Sequence, residues 1–160
     1  MRTIHEWLEE YGESHQNPIN KMIHWVCVPF ILLSLLGLLS SLSFPLDISF
    51  TLFDISVSLS WSIVLIAIAT LFYVSLSFSL TIGMLLISSI ALVINHYLST
   101  MIDLELWKTS LIIFVLAWVG QFLGHKIEGK KPSFFQDIQF LLIGPAWLLS
   151  FIYNKLNIKI

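Results

Sequence analysis

Residues 55–102 read ISVSLSWSIVLIAIATLFYVSLSFSLTIGMLLISSIALVINHYLSTMI, and no Asp, Glu, Lys or Arg interrupts them. A helix needs about 20 apolar residues to cross a hydrocarbon core of about 30 Å. The stretch therefore holds two spans, about Val57–Tyr73 and Leu76–Leu98, joined by a tight turn in the Ser75–Ser79 region. The whole chain agrees with this reading. Of its 160 residues 57% are hydrophobic and 11% charged, and the mean hydropathy is +0.88. A soluble domain carries about 25% charged residues.

Working outward toward the N-terminus, Phe44 to Asp54 contains Pro45, Asp47 and Asp54 and reads as a loop. Before it, Ile19 to Leu42 forms another span, with Pro29 as a kink. Asn17 followed by Pro18 is a helix start, Asn as N-cap and Pro in the first turn. Thr3 and Glu6 have capping-box spacing, and Ile4, Trp7, Leu8 and Tyr11 mark one face of a short helix whose other face is acidic. That helix is expected to lie along the membrane interface. The acidic N-terminus lacks the basic start and apolar core of a signal peptide.

Toward the C-terminus a fourth span runs from about Leu106 to Lys126. The last apolar piece, FLLIGPAWLLSFIY at 140–153, is short and contains Gly144-Pro145, which suits a re-entrant or partial helix. The expected fold is an all-α integral membrane protein, one domain over residues 1–160. It has four transmembrane helices, an N-terminal interfacial helix and a C-terminal re-entrant or partial helix. Arg2, Lys21, Lys126, Lys130, Lys131, Lys155 and Lys159 then fall on one side, which the positive-inside rule makes cytoplasmic. The lone Cys27 lies in an apolar run and excludes a disulfide framework. A net charge of −2 offers no footprint for nucleic acid.

The polar chemistry gathers on that same side. GESHQNPINKMIHWVCVPF, residues 12–30, leads into the first span, and GQFLGHKIEGKKPSFFQD, residues 120–137, leaves the fourth. On one continuous helix His15 and His24 would point to opposite faces, since nine steps of about 100° leave about 180° between them. The Asn17-Pro18 break lets them converge. Gln121, His125 and Glu128 follow i, i+4, i+7 spacing and share a helix face. His15, His24 and His125 are the candidate metal ligands, and Glu128 joins them in the candidate catalytic set. Glu13 stands beside them, and Asn17 and Gln121 are placed to hydrogen-bond a ligand's imidazole. Three histidines near a carboxylate suit Fe(II), Zn(II) or Mn(II), and spacing does not choose among them. Lys126, Lys130 and Lys131 suit an anionic headgroup or a fatty-acid carboxylate. His96, near the far end of its span, and His5, on the surface helix, read as packing and solvated residues. Trp7, Trp25, Trp107 and Trp147 read as an interfacial belt.

The H-x-N-P-x-N-x-x-x-H segment at 15–24 and the G-H-x-x-E-G-x-x-P segment at 124–132 resemble the domain-of-unknown-function 962 family. That family includes the fungal 2-hydroxy fatty acid dioxygenase of the endoplasmic reticulum, which works in phytosphingosine breakdown. The resemblance extends from Tyr11 to about Leu149 and is loose between the two motifs. It implies an Fe(II)-dependent enzyme that uses O₂ to shorten a 2-hydroxy fatty acid by one carbon. It places the motif histidines on His15, His24 and His125, with Asn17, Asn20, Glu128 and Pro132 as further matching positions. Either the endoplasmic reticulum or a bacterial inner membrane fits. Two rival classes are a zinc-dependent membrane lipid hydrolase and a non-enzymatic transporter or assembly factor. Neither acyl-chain length nor oligomeric state is legible.

Overall fold

The structure is a computed structural model that describes residues 2–52, 55–129 and 134–160, without the side chains of 50, 52, 55–57 and 134–139. Among the described residues there are six helices and one hairpin. They are α1 (Ile4–Glu13), α2 (Pro18–Ser40), β1 (Ser49–Leu52), β2 (Ile55–Ser58), α3 (Trp61–Leu76), α4 (Phe78–Met101), α5 (Leu106–Glu128) and α6 (Phe134–Lys155). Three of them, α2, α4 and α5, are long and apolar enough to cross a membrane, and α3 is apolar but shorter. The outward face of α5 carries exposed Ile112, Leu116, Val119 and Leu123, as a lipid-facing helix requires. The chain is a helical membrane protein.

Local chemistry sets the helix ends where the sequence placed them. The Thr3 side chain accepts from the Glu6 backbone N–H while the Thr3 N–H donates to Glu6, a complete capping box. Asn17 Oδ1 accepts from the Ile19 N–H at 2.9 Å, with Pro18 opening α2. Ser77 alone separates α3 from α4, and its hydroxyl caps Leu80. Gly129, at φ +75°, closes α5 in the left-handed conformation that glycine adopts freely.

One expectation is revised. Ser49–Leu52 and Ile55–Ser58 pair as antiparallel strands with Ser49 opposite Ser58 and Leu52 opposite Ile55, so Val57 belongs to a strand and not to a span. The strand-period alternation of Ile48, Phe50, Leu52 and of Ile55, Val57, Leu59 with Ser or Thr is the signal behind it. The fold is thus not purely α. The C-terminal segment is one helix, Phe134–Lys155, with Pro145 inside it, and its apolar part, Phe140–Lys155, is shorter than the three long spans, which agrees with a partial helix. Pro145 has no N–H to give the carbonyl one turn earlier, and the neighbouring Leu142 carbonyl accepts from the Tyr73 hydroxyl at 2.6 Å.

α2 is the central helix, packed against α5 and also touching α3, α4 and α6. It runs antiparallel to α5, since Asn20 meets Glu128 at one end and Gly37 meets Ser110 at the other. The contact is close because Gly120 and Gly124 form a G-x-x-x-G face. A Cβ at Gly120 would stand 2.5 Å from Cys27 Sγ, and one at Gly124 2.4 Å from Asn20 Oδ1. Small residues at this spacing let two helix backbones approach in a lipid environment, where no hydrophobic force does it for them. α1 packs on α6. Contacts of α6 with Tyr11, Tyr73 and Ser79 all lie at the end of the bundle where α2 begins. Its Ala146, Leu149 and Tyr153 join Ile4, Tyr73, Leu80 and Met84 in one core cluster.

Candidate metal centre

His15 follows α1, His24 lies on the second turn of α2, and His125 on the last turn of α5. Antiparallel packing of α2 on α5 brings the last two to the same depth. The His15–Asn20 corner swings the first in. One nitrogen from each histidine lies within 4.8 Å of those of the others. His15 and His24 are 2% and 1% exposed, and His125 is half-buried.

Their tautomers follow from their partners. His15 Nδ1 lies 2.6 Å from the Tyr11 carbonyl and His24 Nδ1 lies 2.9 Å from the Asn20 carbonyl. A carbonyl only accepts, so each Nδ1 carries the proton and each Nε2 is left with its lone pair. Those two Nε2 atoms face each other at 2.9 Å. Two buried lone pairs at that distance need a cation between them, a proton or a metal ion. A backbone carbonyl behind each ring is the usual support for metal-bound histidine. The separations are ones that a single ion with bonds of about 2.0–2.1 Å bridges with small side-chain adjustment. The donor set therefore fits a divalent transition metal. Three neutral nitrogens leave its charge uncompensated and its remaining positions open.

Glu128 stands outside this cluster and binds backbone instead. Its carboxylate accepts from the Gln16 N–H at 2.8 Å, the Asn17 N–H at 2.9 Å and the Asn20 side-chain amide at 2.9 Å. It ties the end of α5 to the corner that carries His15 and to the start of α2. Asn20 is buried, whereas the Asn17 side chain caps α2 at Ile19 and its backbone N–H donates to Glu128 rather than to an imidazole. Glu13 is exposed at the end of α1. Lys126 is exposed beside His125, and Lys130, Lys131 and Pro132 lie outside the described residues. His5 and His96 are not part of the cluster.

Reading the sequence missed two neighbours. The Tyr11 ring stacks on His15, centroids 4.2 Å apart and planes within 13°. Trp147 is buried against both Tyr11 and His15, so it is a wall of the site and not a belt residue. The only advance signal was that α6 carries a Gly144-Pro145 pair: Gly144 leaves room for the Tyr11 hydroxyl, which would lie 3.0 Å from a Cβ there.

The centre opens into a cavity of about 150 Å³. One face of α2, His24, Val28, Ile31, Leu32, Leu35 and Leu36, lines it at the i, i+4, i+7, i+8 spacing of a helix stripe. α5 adds Trp118, Gln121 and His125, also on one face, and α3 and α4 close the far side with Leu65 and Met84. The histidines sit at one end and the walls below are mostly apolar.

No curated protein and no solved structure matches the chain. A family model does, over residues 1–156, and it covers both histidine motifs together with every helix that lines the cavity. The chain belongs to that family, the Mpo1-like family, described as 2-hydroxy-palmitic acid dioxygenase Mpo1-like.

Proposed function

We propose that the protein is an Fe(II)-dependent dioxygenase of the membrane that removes one carbon from 2-hydroxy fatty acids. One observation carries the reading: three convergent histidine nitrogens cap an apolar cavity that descends along α2. Leu36 lies about 18 Å below His24 at 1.5 Å per residue, close to an extended 14-carbon tail at roughly 1.25 Å per methylene. The family's name points to the same substrate class.

The overall reaction balances without a co-reductant. A 2-hydroxy acid and O₂ give the acid one carbon shorter, CO₂ and water. C2 rises from the alcohol to the carboxyl level and C1 from carboxyl to CO₂, and the four electrons released match the four that O₂ accepts. Zn(II) has no redox chemistry, so this reaction speaks against zinc, and the family resemblance favours iron among the redox-active metals a three-histidine set accepts. When bound, Fe(II) supplies open positions for O₂ and the 2-hydroxy carboxylate together with one-electron chemistry.

The chain's own residues do the rest. His15, His24 and His125 hold the ion, and the Tyr11 and Asn20 carbonyls hold the first two in the tautomer that can bind it. Glu128 keeps the three ligand-bearing segments in register through its bonds to Gln16, Asn17 and Asn20. The apolar walls take the acyl chain and exclude water, which strengthens every polar contact at the head. Lys126, Lys130 and Lys131 draw the carboxylate to the mouth. α2, α3, α4 and α5 cross the bilayer, with α1 and α6 at the cytoplasmic boundary where substrate arrives from the lipid.

The test is anaerobic purification with elemental analysis, followed by 2-hydroxypalmitate and air. The expected result is about one iron per chain, O₂ uptake and pentadecanoic acid. Zinc without O₂ uptake would move the reading to a lipid hydrolase, and a folded protein that binds no metal would end both.

A further inference from the structure

Gln121 sits one helical turn before His125 on the cavity face of α5, about 6 Å deeper at 1.5 Å per residue. Its side chain is 5% exposed, and its amide nitrogen has no hydrogen-bond partner. Buried donors are almost always paired, and an orphan of this kind marks a missing acceptor. Six buried side-chain atoms among the described residues lack a partner. Those of Asn20, Asn95, Thr109 and Ser110 lie outside the cavity, where helices pack on one another. Only Gln121 Nε2 and, one turn deeper, Trp118 Nε1 belong to residues lining the cavity, and Trp118 is the less buried of the two.

We infer that the Gln121 amide is the group that reads the 2-hydroxyl of the substrate. The inference rests on the fatty-acid reading above and adds to it the origin of the selectivity for hydroxylated acids. With the head at the histidines and the tail running toward Leu36, the atoms that pass Gln121 first are those next to the carboxylate. On a 2-hydroxy acid the oxygen there is the C2 hydroxyl, which accepts from Nε2–H. An unsubstituted acid offers a methylene at the same place and leaves the donor orphaned. Sites that hydrogen-bond a substrate hydroxyl reject the analogue lacking it far more strongly than apolar pockets reject an extra methylene, because the buried polar group is left unpaired. Of the other polar side chains that line the cavity, the Tyr73 hydroxyl already donates to the Leu142 carbonyl, and Trp118 Nε1 lies a turn further from the head.

The test is binding, not turnover. The purified protein, with the metal it carries and without O₂, is titrated with 2-hydroxypalmitate and with palmitate, following tryptophan fluorescence. Wild type, Gln121→Met and Gln121→Leu are compared, with metal content measured for each. The expected result is a wild-type preference for the hydroxy acid that shrinks by about tenfold or more in both variants, while palmitate affinity and metal content hold. Loss of packing alone would weaken both acids together and leave their ratio as in wild type. An unchanged ratio in the variants would overturn the assignment of Gln121 and leave the fatty-acid reading standing. A wild type that binds neither acid would overturn the fatty-acid reading, and the assignment with it.

Discussion

At the end of the bundle where α2 begins and α5 stops, Glu128 bonds to Gln16, Asn17 and Asn20, and His15 faces His24. At the opposite end the His96 carbonyl takes the hydroxyls of Ser99 and Thr100, and Glu105 takes Trp107 and Lys108. The residue types are alike: a histidine, a glutamate, a lysine and tryptophans at each end. Their wiring differs. In the first region Glu128 reaches across more than a hundred residues of chain, and His15, Asn20 and His24 are buried. In the second, the bonds to His96 and Glu105 stay within four residues of chain, and both residues are exposed. Exposed local pairs contribute little to stability, whereas a buried network repays its desolvation only if all its members are in place. The first region is built to hold a geometry, and the second only meets water.

Removing a histidine should separate the two regions most sharply. His15→Ala, His24→Ala and His125→Ala are each expected to abolish metal retention and O₂ uptake, while His96→Ala leaves both at wild-type levels. Elemental analysis of the four proteins checks this, and metal loss in His96→Ala would erase the contrast. Next in size is Glu128→Gln, which keeps the shape and removes the charge that three donors converge on. A loss of roughly 10- to 100-fold in metal affinity is expected, the range typical of partners behind the ligands, and a chelator competition curve reads it.

Packing supplies a smaller effect. Gly124→Ala drives a methyl against Asn20 Oδ1, on an amide held in place by the bond its Nδ2 donates to Glu128. Overpacking of this kind costs about 1–3 kcal/mol, visible as a lowered midpoint in detergent together with weaker metal binding. A normal metal affinity in a stable Gly124→Ala protein would mean that the α2–α5 approach does not set the ligand geometry. Leu36→Trp, at the cavity floor, is expected to shift preference toward shorter acids, since each methylene denied burial is worth about 0.8 kcal/mol. A chain-length series of 2-hydroxy acids measures it.

The smallest effect lies at the start of α1. The Thr3 backbone N–H and hydroxyl bond the Glu6 carboxylate and hold its pKa below the ordinary 4.5. A depressed folded value means that this cap stabilises α1 above that pH and is lost as pH falls through the lowered value. The protection factors of the Glu6 and Trp7 amides, that is exchange corrected for its intrinsic pH dependence, should fall in that acid window and stay flat with pH in Glu6→Gln.

Features that depend on neighbours along the chain are legible in its residues. The charge-free run at 55–102 requires lipid or a covered core around it, because water would not tolerate it. Thr3-Glu6 and Asn17-Pro18 start helices through bonds that span three residues or fewer. The two histidine motifs, each within ten residues, carried the family resemblance. The hairpin was equally local, but its alternation was hidden inside a longer apolar run, where span and strand signals overlap. Only the tertiary structure decided what Glu128 and Gln121 do. Both are polar residues one turn from His125, on the same helix face, and periodicity does not tell them apart. Packing on the glycine face of α5 turns Glu128 toward the α1–α2 corner, where three donors meet it, and leaves Gln121 in a dry cavity with none. That difference comes from which atoms of α1 and α2 arrive opposite each side chain. A hydrogen-bond partner a hundred residues away leaves no trace in the local pattern.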